Sequence, residues 1–179
     1  MAWRSAGVGV VTVSDRKSIG MKAILNAGAV PCTLERSTVK RMSTAPRPRV
    51  LFAEDNPDHA FLVQRVLEPL CELHHAEDGE QTLEQLNAWQ GELPRLVLID
   101  VNLPRLSGLE VLERIRADSR FRAMPLVVFS TSRLTQELAR AYMSGANSFV
   151  VKPPRFAEFR EVLLKILEYW TNVNAPLEG

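Results

Sequence analysis

The chain has 179 residues, 46% of them apolar and 24% charged, with a formal net charge of +1. That is room for one ordinary domain with a well-buried core and too little for two full-sized ones, and no apolar run approaches the roughly 20 residues that would span a bilayer. Two cysteines without CxxC spacing, Cys32 and Cys71, and three histidines, His59, His74 and His75, argue against a disulfide framework or a zinc site.

Charge is unevenly spread: residues 1–45 carry seven Lys/Arg against two Asp/Glu, and residues 46–179 carry 15 against 19. The basic residues are scattered and not run together, which is a poor patch for nucleic acid or anionic lipid. The apolar stretch from Ala6 to Val13 lacks the length and cleavage site of a secretory signal, so a cytoplasmic location is expected. Residues 1–45 show no sustained period and end at Ala45-Pro46-Arg47-Pro48, a boundary signal. They are read as an N-terminal extension, disordered or upstream of a true start at Met42, before a domain over 46–170 and a tail over 171–179.

From Arg49 short apolar runs alternate with amphipathic segments, the pattern of strands joined by crossover helices. Strands are expected at Val50–Glu54, Glu72–Ala76, Leu96–Asp100, Leu126–Phe129 and Ser148–Val151. The uninterrupted runs Leu96-Val97-Leu98-Ile99 and Leu126-Val127-Val128-Phe129 suit central parallel strands covered on both faces. Helices are expected at about Pro57–Pro69, Gly79–Trp89, Gly108–Ala117, Leu134–Ser144 and Arg155–Trp170. In the first, Phe61, Leu62, Val66 and Leu70 form an apolar stripe; in the last, Phe156, Phe159, Leu163, Ile166 and Trp170 do. Both stripes are expected to face the sheet, and Gly145 is expected to end the fourth helix as a left-handed residue. Right-handed crossovers then give an α/β, doubly wound, five-stranded parallel sheet of flavodoxin-like (βα)5 type, strand order 2-1-3-4-5, with ligand chemistry at the carboxyl ends of its strands.

Those strand ends carry Glu54-Asp55, Asp100, Ser130-Thr131 and Lys152-Pro153. Three carboxylates brought to one sheet edge imply a divalent cation, and Mg2+ suits oxygen ligands that leave room for water and phosphate. A carboxylate can also act as a nucleophile toward a phosphoryl group, a transfer that runs on positioning and charge neutralisation.

In combination, Ala53-Glu54-Asp55-Asn56, Leu98-Ile99-Asp100-Val101-Asn102-Leu103-Pro104 with Gly108, Phe129-Ser130-Thr131 and Val150-Val151-Lys152-Pro153 resemble the receiver domains of two-component response regulators over about Arg49–Trp170. The resemblance implies a phosphoacceptor that assists its own phosphorylation and dephosphorylation rather than an enzyme acting on other substrates. It implies Asp100 as phosphoacceptor, and Glu54, Asp55, Asp100 and the Asn102 backbone carbonyl as the Mg2+ site. Ser130 and Lys152 would contact the phosphoryl oxygens, Lys152–Pro153 would be a cis peptide, and Phe149 with Thr131 would form the switch that moves the fourth helix. Ser130 as a helix N-cap and Phe149 as ordinary core are the bland alternatives.

The partner implied is a sensor histidine kinase. Asp55-Asn56-Pro57-Asp58, Gly145-Ala146-Asn147-Ser148 and the end Glu168-Tyr169-Trp170-Thr171-Asn172-Val173-Asn174 resemble single-domain receivers paired with bacterial phytochromes. Val162 and Tyr169, one heptad apart, with Trp170, offer a homodimer face. Nine residues follow Trp170, too few for a DNA-reading helix-turn-helix, so readout through protein contact is expected. Three other classes fit these residues less well. A flavin enzyme would meet repulsion between its phosphate and Glu54-Asp55, and an aspartate-nucleophile phosphatase would want an acid where Asn102 stands. A receiver fold used as a mere scaffold would not need its acids or lysine.

Overall fold

The computed structural model describes residues 47–175, so the reading of residues 1–45 lies outside the described residues. The elements are β1 (Arg49–Ala53), α1 (Pro57–Leu67), β2 (Glu72–Ala76), α2 (Gly79–Asn87), β3 (Leu96–Ile99), α3 (Gly108–Ala117), β4 (Leu126–Ser130), α4 (Thr135–Met143), β5 (Ser148–Val151) and α5 (Phe156–Glu168). A single π turn, Tyr169–Val173, continues α5. All strand pairs are parallel, in the order β2-β1-β3-β4-β5, as the sequence predicts.

The central strands β3 and β4 are buried at every position, which is why they read as unbroken Leu/Val/Ile/Phe runs. Their side chains still alternate between two cores. Val97, Ile99 and Val128 join α2, α3 and α4 on one face. Leu96, Leu98, Val127 and Phe129 join α1 and α5 on the other.

Local chemistry starts and stops the helices near the site. Asn56 caps α1, its side chain accepting from the N–H groups of Asp58 and His59 at 3.0 and 3.1 Å. Ser107 and Glu110 form a reciprocal capping box on α3. α4 ends in a Schellman motif: Gly145, at φ +92°, donates to Tyr142 O at 3.0 Å and Ala146 to Ala141 O at 2.9 Å. Arg116 reaches this loop from α3, donating to Gly145 O at 2.8 Å, Met124 O at 2.9 Å and Asn147 Oδ1 at 2.7 Å.

The predicted apolar stripes are partly corrected. On α1 the buried side chains are Ala60, Val63, Val66 and Leu67, while Phe61 is 59% and Leu70 46% exposed. The Asn56 cap sets the helical phase so that positions 60, 63 and 67 face the sheet, and Leu70 lies past the helix end, where Pro69 has no N–H to extend it. On α5, Phe159, Leu163 and Ile166 are buried as expected, but Phe156, at the first helical position, is half-exposed.

One backbone contact places the site. A Cβ on Gly108 would fall 1.9 Å from the carbonyl oxygen of Asp100, so only glycine lets the start of α3 fold back against the end of β3. Backbone atoms cannot yield as a flexible side chain can. Gly108→Ala is therefore expected to cost about 3 kcal/mol, an overpacking penalty, read as a lower urea midpoint; an unchanged midpoint would contradict the packing. Cys71 gives a second check: it is buried, donates to Leu67 O at 3.3 Å, and burial pushes its thiol up to about 11. Iodoacetamide at pH 8 should leave Cys71 unmodified in native protein and label it in urea, as peptide mass spectrometry would report; equal labelling in both would refute its burial.

Candidate functional site

Four strand ends meet at one edge of the sheet. The Glu54 N–H donates to Ala76 O at 3.0 Å, the Asp100 N–H to Ala53 O at 3.1 Å and the Lys152 N–H to Ser130 O at 2.8 Å, so each of these residues is held by strand pairing. Glu54, Asp100, Ser130 and Lys152 are all buried, an arrangement of charges that needs partners.

Lys152 supplies the first partner. Its Nζ lies 2.5 Å from Glu54 Oε2 and 2.5 Å from Asp100 Oδ2, bridging the two acids, and 5.7 Å from the centre of the Phe129 ring. Asp100 Oδ1 accepts from the Asn102 N–H at 3.3 Å. Burial raises the Glu54 carboxyl above the usual carboxylate value; the Lys152 ammonium pulls it down, Asp100 pushes it further up, and His59 lowers it. One ammonium shared by two buried carboxylates leaves negative charge uncompensated.

The other predicted residues fall into place unequally. Asp55 is exposed on the loop after Glu54 and stands outside the tight group of ligand atoms. Ser130 closes β4 and does not cap α4, whose N-cap is Leu134 without a side-chain bond; its Oγ accepts from the Ser132 N–H at 3.4 Å. Thr131 is exposed and lines a cavity of about 340 Å³ with His59, Lys152 and Pro153. Phe149 packs half-buried against the α2/α3/α4 core, its N–H donating to the Tyr142 hydroxyl at 3.3 Å.

Two expectations need correction. Lys152–Pro153 is not cis, and no peptide bond among the described residues is; trans is the lower-energy form before proline by about 0.5–1 kcal/mol, and both ion pairs of Lys152 form with it. Of the expected dimer face only Tyr169 is exposed, at 49%, because Val162 and Trp170 are partly buried against the α1/α5 core.

Two histidines belong to the site that sequence reasoning passed over. The His59 Nδ1 lies 3.2 Å from Glu54 Oε1. His75, at the end of β2, stacks on Phe52 with ring centres 4.4 Å apart and donates through Nε2 to the backbone carbonyl of Glu54 at 2.8 Å. The available signal for His59 was its position on the first turn of the helix that directly follows Glu54-Asp55.

Ligand atoms of Glu54, His59 and Asp100 all lie within 4.8 Å of one another. The buried pair Glu54 and Asp100 with Lys152 carries one net negative charge, and Asp55, exposed at the next position after Glu54, brings the edge to two, the charge that a divalent cation neutralises. The donor set therefore fits such an ion.

Comparison with known proteins agrees with this geometry. Residues 50–164 match the response regulator receiver domain family. The probable methanogenesis regulatory protein FilR2 of Methanothrix harundinacea is 38% identical over 131 residues, covering 70% of this chain and 84% of that one. The crystal structure of the phosphorylated cyanobacterial phytochrome response regulator RcpA superposes with a TM-score of 0.69 at 25% identity, covering 74% of this chain and 99% of that one. The Mn2+-bound form of response regulator Rcp1 does so with a TM-score of 0.65 at 26% identity, covering 73% and 99%. With its order of strands, its acid–lysine bridge and a family match over well over half its length, the chain belongs to the response regulator receiver domains.

Proposed function

We propose that this chain accepts a phosphoryl group on Asp100 from the phosphohistidine of a sensor kinase and signals through phosphorylation-dependent protein contact. The observation that carries the reading is the buried Asp100 carboxylate, fixed at the end of β3 and bridged to Glu54 by Lys152 at 2.5 Å.

In the transfer a carboxylate oxygen of Asp100 attacks phosphorus, an acyl phosphate O–P bond forms, and the P–N bond of the donor breaks with its electron pair leaving on the imidazole. Lys152 contributes positive charge to the transferred group. Glu54, Asp55, Asp100 and the Asn102 backbone carbonyl would hold Mg2+, which neutralises charge on the phosphoryl oxygens when bound. The structure of Rcp1 with Mn2+ and that of phosphorylated RcpA support a divalent cation and phosphorylation for a fold of this kind.

Ser130 stands on the strand next to Asp100 and is the hydroxyl that would close on the phosphoryl group. Motion there would draw on Thr131 and the loop to α4, with Phe149 as the packing element that follows. Phe149 has no hydroxyl, so its two positions would differ in packing alone. The RcpA similarity favours a bacterial phytochrome as the kinase.

Intact-mass analysis after incubation with acetyl phosphate and Mg2+ tests the reading. The wild type should gain one phosphoryl group, the gain should require Mg2+, and Asp100→Asn should show none. An equal gain in Asp100→Asn, or none in the wild type with Mg2+ demonstrably bound, would overturn it.

A further inference from the structure

We infer that His59 turns the cation site of this chain into a mixed nitrogen–oxygen site, which favours later first-row transition ions such as Co2+ over Mg2+. The inference rests on the reading of this edge as a divalent-cation site and concerns which ion it takes.

The partners divide the oxygens of the two buried acids between them. Lys152 uses Oε2 of Glu54 and Oδ2 of Asp100, which leaves one oxygen of each for another partner. On Glu54 that oxygen, Oε1, faces His59 Nδ1 at 3.2 Å. The Asp100 oxygen, Oδ1, has only the N–H of Asn102 at 3.3 Å, a long contact. Ligand atoms of Glu54, His59 and Asp100 fall within 4.8 Å of one another. Two donors on opposite sides of a small divalent ion, each about 2.1 Å from it, stand about 4.2 Å apart. The separations of these atoms are therefore on the scale of donors around a single ion.

His59 is also presented from a fixed point. It lies on the first turn of α1, and its backbone N–H is held by Asn56 Oδ1 at 3.1 Å. The side chain is half-exposed, so an ion can reach it from solvent through the cavity it shares with Thr131, Lys152 and Pro153. As a neutral ligand, imidazole leaves the charge balance of three carboxylates, one ammonium and one divalent ion at zero. It does change the donor chemistry. Carboxylate and water suit Mg2+, whereas imidazole suits later first-row ions, for which affinity rises along the series from Mn2+.

Two measurements on the full chain test this. In the first, pulsed EPR of the Mn2+-loaded wild type should show coupling to a 14N nucleus of a directly bound imidazole, and His59→Asn should lose it. In the second, calorimetric titration should show Co2+ binding weakened about tenfold or more in His59→Asn while Mg2+ affinity changes by less than about twofold, so that the preference between the two ions collapses. Absence of 14N coupling in the wild type, which needs no variant, overturns the inference, as does coupling that survives in His59→Asn. An unchanged Co2+-to-Mg2+ ratio in the variant overturns it too. In each of those cases Mg2+-dependent phosphorylation of Asp100 would persist and the phosphoacceptor reading would stand. Failure of the wild type to bind any divalent ion would remove both.

Discussion

Everything at the functional edge of this domain depends on the ammonium of Lys152 lying between two buried carboxylates. Burying one carboxylate is costly and burying two side by side more so, because each raises the free energy of ionising the other. A lysine 2.5 Å from both offsets that cost incompletely, and the upward displacement of the Glu54 carboxyl is the visible residue of the imbalance. An electrostatic shortfall of this kind prepares a site to bind positive charge and to hold a nucleophilic carboxylate ready. The same arrangement explains why the lysine stem is buried although lysine is ordinarily a surface residue.

The fold supplies the placement. Parallel strands end at the same level, so residues distant in sequence arrive together: Lys152 is 98 positions from Glu54 and 52 from Asp100. Gly108 lets α3 begin directly against the Asp100 carbonyl, which keeps the loop after β3 tight. Arg116, the Schellman turn at Gly145 and Asn147 knit the opposite end of the sheet. α4 stands between these anchors, with no side-chain cap at its N-terminus and only Ala141 buried. Few buried contacts and an uncapped start are the features of an element that can shift at low cost.

Most of this architecture was legible in the sequence because parallel strands announce themselves twice, through unbroken apolar runs and through the acids and lysine that follow them. Glu54, Asp100, Ser130 and Lys152 could be placed at one edge from topology alone. What escaped was anything decided by rotation or by local geometry. Leu70 stands four residues after Val66 and Phe61 beside Leu62, yet the phase of α1 is set by the Asn56 cap and leaves both Phe61 and Leu70 exposed. Val162 lies off the predicted stripe of α5 and still reaches the core, because two faces of that helix meet α1 and the sheet. His59 and His75 carry no motif; their roles arise from side-chain direction across a turn and across a strand pair.

Thermal unfolding of Lys152→Met against the wild type, with and without Mg2+, tests the charge-sharing account most directly. Methionine keeps the stem and removes the charge. The account predicts a lower Tm for the variant in the absence of divalent ions, and a gap that narrows as Mg2+ is added, because an ion binding only the folded state supplies the missing positive charge. A variant as stable as the wild type without metal, or a gap that Mg2+ leaves untouched, would show that the Glu54–Lys152–Asp100 bridge does not hold the site together.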